Sequence, residues 1–198
     1  MKHSIEILSG DEITVGHYLD FNKAKNNIEK AVIATGKPLD EIKKLPYPVV
    51  KEVAKEFNKL IHEVEPKGFA HIITLDGVEY GIEPNLDRLE TGAFADITHF
   101  EDLGVDKHLD KFLAILYRPI THKWGVKNVR YRIESYCDTG GDLLDNSIIF
   151  RTLPFSYALG VRAFFLTLQS VLMRSIETEM TEKMAKAVKE MKEEIVTL

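Results

Sequence analysis

The chain has 198 residues, a mass of 22.6 kDa, and 44% hydrophobic and 29% charged residues, with a formal net charge of -5. That balance is globular, not disordered, and it argues against a general nucleic-acid coat while leaving room for a local basic patch. The single cysteine, Cys137, excludes an intrachain disulfide framework and a four-cysteine zinc site.

The start of the chain carries an acid by Glu6 and no long apolar run, so no signal peptide is expected there. Residues 4–8 alternate apolar and polar side chains and predict a short strand, with a turn at Gly10-Asp11. Residues 12–34 predict a helical stretch capped by Gly36. Pro38 suits the first turn of a short helix, and Asp40 and Glu41 lie near its positive end. Residues 48–63 predict one amphipathic helix, with Val49, Val50, Val53, Phe57, Leu60 and Ile61 forming its apolar stripe.

Two β-rich runs flank Asp76-Gly77, the pattern of a hairpin near 69–82. Residues 91–102 and 106–117 predict helices, the second ended by Pro119. Residues 121–135 predict a strand or irregular arm, and 137–147 a loop. From Pro154 to about Lys192 the pattern is helical. The fold class expected is therefore mainly α with a small β-hairpin (α+β), ending in a long C-terminal helix.

Two stretches align with two later ones. EITVGHYLDF (12–21) lies on RLETGAFADI (88–97), pairing Gly16 with Gly92, Tyr18 with Phe94 and Asp20 with Asp96. LPYPVVKEVAKEF (45–57) lies on LPFSYALGVRAFF (153–165). This order suggests a degenerate internal duplication. It divides the chain into a helical half at 1–65, a hairpin plus helical half at 66–175 and an extension at 176–198, together one folding unit.

Residue chemistry offers no catalytic constellation. The Thr-x-Gly-aromatic motifs read as helix starts, with Thr91 as a cap and Gly92 allowing close packing. Asp96 and His99 could ligate zinc, but at i,i+3 they read as a helical surface pair, and no HExxH is present. Glu101-Asp102 and Asp40-Glu41 are adjacent, so they diverge on a helix and make poor acid/base couples. Cys137 sits beside Asp138, which raises a thiol pKa. No serine lies in a GxSxG context. No metal, cofactor or enzymatic activity is expected.

Lys123, Lys127, Arg130 and Arg132 interleave with Trp124, Tyr131 and Tyr136. Such a stretch can contact nucleic acid, but it reads first as an edge strand with charged outer positions. Residues 153–173 are the most apolar run, yet Arg162 and Gln169 suit a buried helix better than a membrane span. Neither nucleic acid nor membrane is an expected partner. The expected interaction surface is the seam of Met180, Met184, Val188, Met191 and Ile195 on the C-terminal helix, with Phe164 and Leu168 upstream of it. That seam serves self-association into a homo-oligomer and client binding equally well.

Four stretches carry a family resemblance: EITVGHYLDF; TGKPLDEIKKLPYPVVKEVAKEF; DGVEYGIEPNLDRLETGAFADITHF followed by HLDKFLAILYRPI; and LPFSYALGVRAFF. Together they cover most of the chain, and the chain resembles tailed-bacteriophage proteins of the tail assembly chaperone type. The resemblance implies a mostly helical protein of the host cell cytoplasm that coats the tape-measure protein and helps recruit tail-tube subunits. It implies no catalytic residue. The long seam at 176–198 exceeds the family pattern and leaves open a structural place in the virion, in the tail, connector or neck.

Overall fold

A computed structural model describes residues 5–83, 88–125, 130–139 and 147–167. Contacts divide the chain into two units, Met1–Gly160 and Val161–Leu198. The first is an α+β unit whose helices accompany a four-stranded antiparallel sheet.

Helix α1 (Val15–Lys23) starts at Thr14, whose hydroxyl accepts from the His17 N–H, while His17 Nδ1 accepts from the Thr14 N–H. The stretch at 12–34 is not one helix. Asn26 opens α2 (Asn27–Thr35) by accepting from the Ile28 and Glu29 N–H groups at 3.0 Å each, and Glu29 reaches back to the Lys25 N–H. An Asn followed three residues later by Glu is a capping pair that restarts a helix. Gly36 ends α2 in the left-handed conformation, as the sequence leads one to expect.

Helix α3 (Leu39–Ile42) precedes α4 (Tyr47–Glu63), which buries Val50, Val53, Ala54, Phe57 and Ile61. Helix α4 packs against α2, and Phe57 meets Phe21 of α1 edge to face. The strand expected at 4–8 is absent among the described residues. Residues 5–9 are irregular and run against the end of α2, where the Leu8 N–H donates to Ala34 O. A period-2 pattern makes a strand only when another strand lies beside it.

Strands β1 (Ile72–Leu75) and β2 (Val78–Ile82) form the expected hairpin, with Asp76 and Gly77 both at positive φ. That is the twist-matched two-residue turn. Helix α5 (Thr91–Leu103), a 3-10 turn (Val105–Lys107) and α6 (Leu109–Leu116) follow. Helix α6 is buried almost all round and forms the centre of the core.

The expected end of that helix at Pro119 is corrected. The chain turns into β3 (Tyr117–Trp124) at Tyr117, and Pro119 lies inside the strand opposite Tyr80. Proline has no N–H with which to continue a helix, and in the strand its C=O accepts from the Glu134 N–H at 2.9 Å. Strand β4 (Arg130–Ile133) completes the order β1-β2-β3-β4, a larger sheet than the hairpin expected. Short helices α7 (Tyr136–Thr139) and α8 (Ser147–Phe150) occupy the ends of the expected 137–147 loop.

Residues 155–167 are helical. The start of this segment pairs with the start of α1: Thr14 bridges Pro154, and the Val15 and Phe155 N–H groups donate to Leu153 O and Ile13 O. At Gly160 the backbone of Lys67 crosses so closely that a Cβ would lie 1.9 Å from Lys67 O. In the second unit, the Thr167 hydroxyl donates to Ala163 O, and Leu166 is exposed.

Candidate functional site

Of the interaction residues expected from sequence, Met180, Met184, Val188, Met191, Ile195 and Leu168 lie outside the described residues. Phe164 is helical and half-buried. The chemistry that can be built from the described residues lies in two clasps and two grooves.

The first clasp holds Arg151. Gly16 brings α1 against its backbone, where the Gly16 N–H donates to Arg151 O at 2.8 Å. One turn on, Asp20 accepts from the Arg151 guanidinium at 2.6 Å, and the buried Asp110 lies 3.5 Å from its other nitrogen. These two carboxylates raise the arginine's pKa, the Asp20 hydrogen bond foremost.

The second clasp holds Tyr136. Its ring lies over Gly92, where a Cβ would meet it at 3.1 Å, and its hydroxyl donates to Asp96 one turn on. Burial, followed by the Asp96 carboxylate, pushes the Tyr136 pKa up. Asp96 is thus engaged by a tyrosine, and among the described residues no three His, Cys, Asp or Glu side chains converge as a metal site.

Behind the second clasp lies a charged hub absent from the sequence reading. Glu90 starts α5 but does not cap it; its carboxylate accepts instead from the Tyr136 and Cys137 N–H groups, the Ser135 hydroxyl and Arg118 Nη1. This corrects the reading of Thr91 as the cap: Thr91 is the first helical residue and is exposed. Desolvation pushes the Glu90 pKa up, but the Tyr136 N–H, Arg118, Ser135 and the Cys137 N–H outweigh it and hold the carboxyl at about 2. The Arg118 side chain is 3% exposed. No sequence signal marks it, because its counter-ion is 28 residues away.

Beside this hub, an open groove of about 1050 Å³ runs along β4. It is lined by Arg88, Arg118, Arg130 and Arg132, by Trp124 and Tyr131, and by the carboxylates Glu83, Glu90 and Glu134. The basic-aromatic residues that interleave in sequence are sorted by the fold. Lys123 pairs with Glu79 at 2.5 Å. The Tyr131 ring covers Gly81 and its hydroxyl donates to Ile82 O, while Tyr136 is held in its clasp. Trp124, Arg130 and Arg132 are exposed, and Lys127 lies outside the described residues.

A second, shallower groove of about 440 Å³ lies between α1, α2 and α3. Ala24, Val32, Ile33 and Leu39 make it apolar, and Asp20, Lys23 and Glu29 rim it. Phe94 on α5 and Ile148 on α8 are further exposed apolar side chains, at 63% and 73% exposure. Phe94 contrasts with its aligned partner Tyr18, which stacks on Phe155 at 4.4 Å.

No family model, no curated protein and no solved structure matches the chain. No helix of the described residues is long and apolar enough to cross a membrane.

Proposed function

We propose that this protein is a non-enzymatic assembly factor that binds a helical protein chain, of the kind the tail assembly chaperone resemblance implies. Its client would be a bacteriophage tail component such as the tape-measure protein or a tube subunit, met in the host cell cytoplasm. The apolar groove between α1, α2 and α3 carries this reading. An apolar floor with a rim of both charge signs is the chemistry of helix-in-groove recognition. Four carboxylates support it as well: Glu90, Asp96, Asp20 and Asp110 are each engaged by structural donors.

The second surface of the proposal is the methionine-rich seam at 176–198, read from sequence alone. Changing Met184→Asp together with Val188→Asp is expected to abolish client binding and self-association while circular dichroism stays unchanged. If both associations survive, the seam is not the interface. In the same assay, Val32→Asp in the apolar groove is expected to weaken client capture by about tenfold or more, since a charge in an apolar contact costs well over 1.4 kcal/mol.

A second reading is a structural virion protein of the tail, connector or neck. Mass spectrometry of purified particles separates the two: an assembly factor is absent from the mature particle, and a structural protein is retained in it.

A further inference from the structure

We propose that the exposed face of the β3–β4 ladder is a stacking platform for single-stranded nucleic acid, centred on Trp124. This proposal does not rest on the assembly role above. The register pairs His122 with Arg132 and Trp124 with Arg130. Residues paired across a ladder share a face, as do residues two apart along a strand, so these four side chains form one surface. The His122 and Trp124 rings stack along that surface, 5.7 Å apart and 23° from parallel. Trp124 is 40% exposed, and His122, Arg130 and Arg132 are exposed around it. The opposite face is spent within the fold, since Lys123 and Tyr131 are tied to Glu79 and Ile82.

Two observations set this surface apart from ordinary edge protection, in which charge alone keeps another strand away. A large flat indole adds nothing to such protection, yet it offers a π-face to any base. Arg88, from a distant part of the chain, also lines the groove along β4 together with Arg130 and Arg132. Stacking aromatics beside a cationic track are the means by which proteins hold single strands without reading sequence. The carboxylates Glu83 and Glu134 line the same groove. They limit the cationic track to a short stretch, which fits a few phosphates and not a long duplex.

Trp124 is the chain's single tryptophan, so its emission reports on this surface directly. The full-length protein is titrated with a short single-stranded oligothymidylate at low salt. The expected result is saturable quenching. The binding constant should fall with salt at a log–log slope between about -1.4 and -2.1, the value for two or three phosphates neutralised on a single strand. Arg130→Glu with Arg132→Glu should weaken binding by at least about tenfold. Trp124→Ala, followed by anisotropy of a labelled strand, should weaken it by about tenfold, the worth of one stacked base.

The proposal is overturned if quenching does not saturate, or if the arginine variant, folded by circular dichroism, binds as wild type. It is equally overturned if polyglutamate, duplex DNA or free thymidine monophosphate binds the wild-type protein as well as the strand does. These wild-type competitions decide the matter even if a variant fails to fold.

Discussion

The starts of α1 and α5 hold one later residue each with the same geometry and different chemistry. In both, a glycine and an aspartate one turn apart clasp a residue from the far part of the chain: Arg151 at Gly16 and Asp20, Tyr136 at Gly92 and Asp96. The α1 clasp is ionic, partly exposed, and joined to backbone pairing between 13–16 and 151–155. The α5 clasp uses a phenol and leans on the pair of the buried Arg118 with the half-buried Glu90. The helix-start backbone, small then acidic, is what the two regions share; the gripped side chain is free to differ. These are the glycine and aspartate positions that the alignment of 12–21 on 88–97 pairs.

The largest effect expected falls on the support of the second clasp. Glu90→Gln leaves the Arg118 guanidinium buried without its counter-ion and also turns an amide NH2 toward donors that the carboxylate accepts from, so it should cost about 4 kcal/mol in urea unfolding, more than loss of the charge alone. Adding Arg118→Met to Glu90→Gln should recover part of that loss. A wild-type midpoint for Glu90→Gln would break the contrast between a buried and an exposed support.

The two glycines should differ next. At Gly16 a Cβ would stand 3.0 Å from the backbone oxygen of Arg151, which is fixed by pairing; at Gly92 it would meet the Tyr136 ring, which can tilt. Gly16→Val is therefore expected to cost about 3 kcal/mol and Gly92→Val about 1 kcal/mol by chemical denaturation. Equal costs would show that both neighbours yield alike.

Acid should expose the second clasp specifically. The Glu90 pKa of about 2 lies below its unfolded value of about 4.3. Its contribution is complete above that unfolded value and is lost as pH falls from there towards 2, because the unfolded chain takes up the proton first. With 31% of the side chain exposed, solvent screening holds this contribution to about 2 kcal/mol. Stability measured against pH should fall less steeply below pH ~4.3 in Glu90→Gln than in wild type.

Removing the gripped groups compares the two clasps directly. Arg151→Ala frees Asp20 and the buried Asp110 and should cost about 2 kcal/mol, whereas Tyr136→Phe loses one hydrogen bond and should cost about 1 kcal/mol. Thermal unfolding of the two variants ranks the clasps. The reverse order would make the phenol the stronger grip.

Local rules made much of the chain legible. The Asp76-Gly77 hairpin, the Gly36 cap, the proline-started α4 with its apolar stripe and the buried run of α6 follow from periodicity, capping and turn chemistry, which act within a few residues. The seam at 176–198 is read from the same helical period, and it lies outside the described residues. The break at Asn26 is also written locally, in the Asn-x-x-Glu pair, but the apolar spacing runs through it and masks it.

What the tertiary structure alone decided depends on residues that meet across long loops. Residues 4–8 have a strand's alternation but run beside a helix, and Tyr117 ends a helix-like run but pairs with Ile82 of β2 as a strand. Arg118 looks like any surface arginine until Glu90 is brought to it, and Trp124, Arg130 and His122 form one surface only through the β3–β4 register. Periodicity encodes which face of an element is apolar. It does not encode which element will cover that face, since pairing partners are chosen by the global packing of the chain.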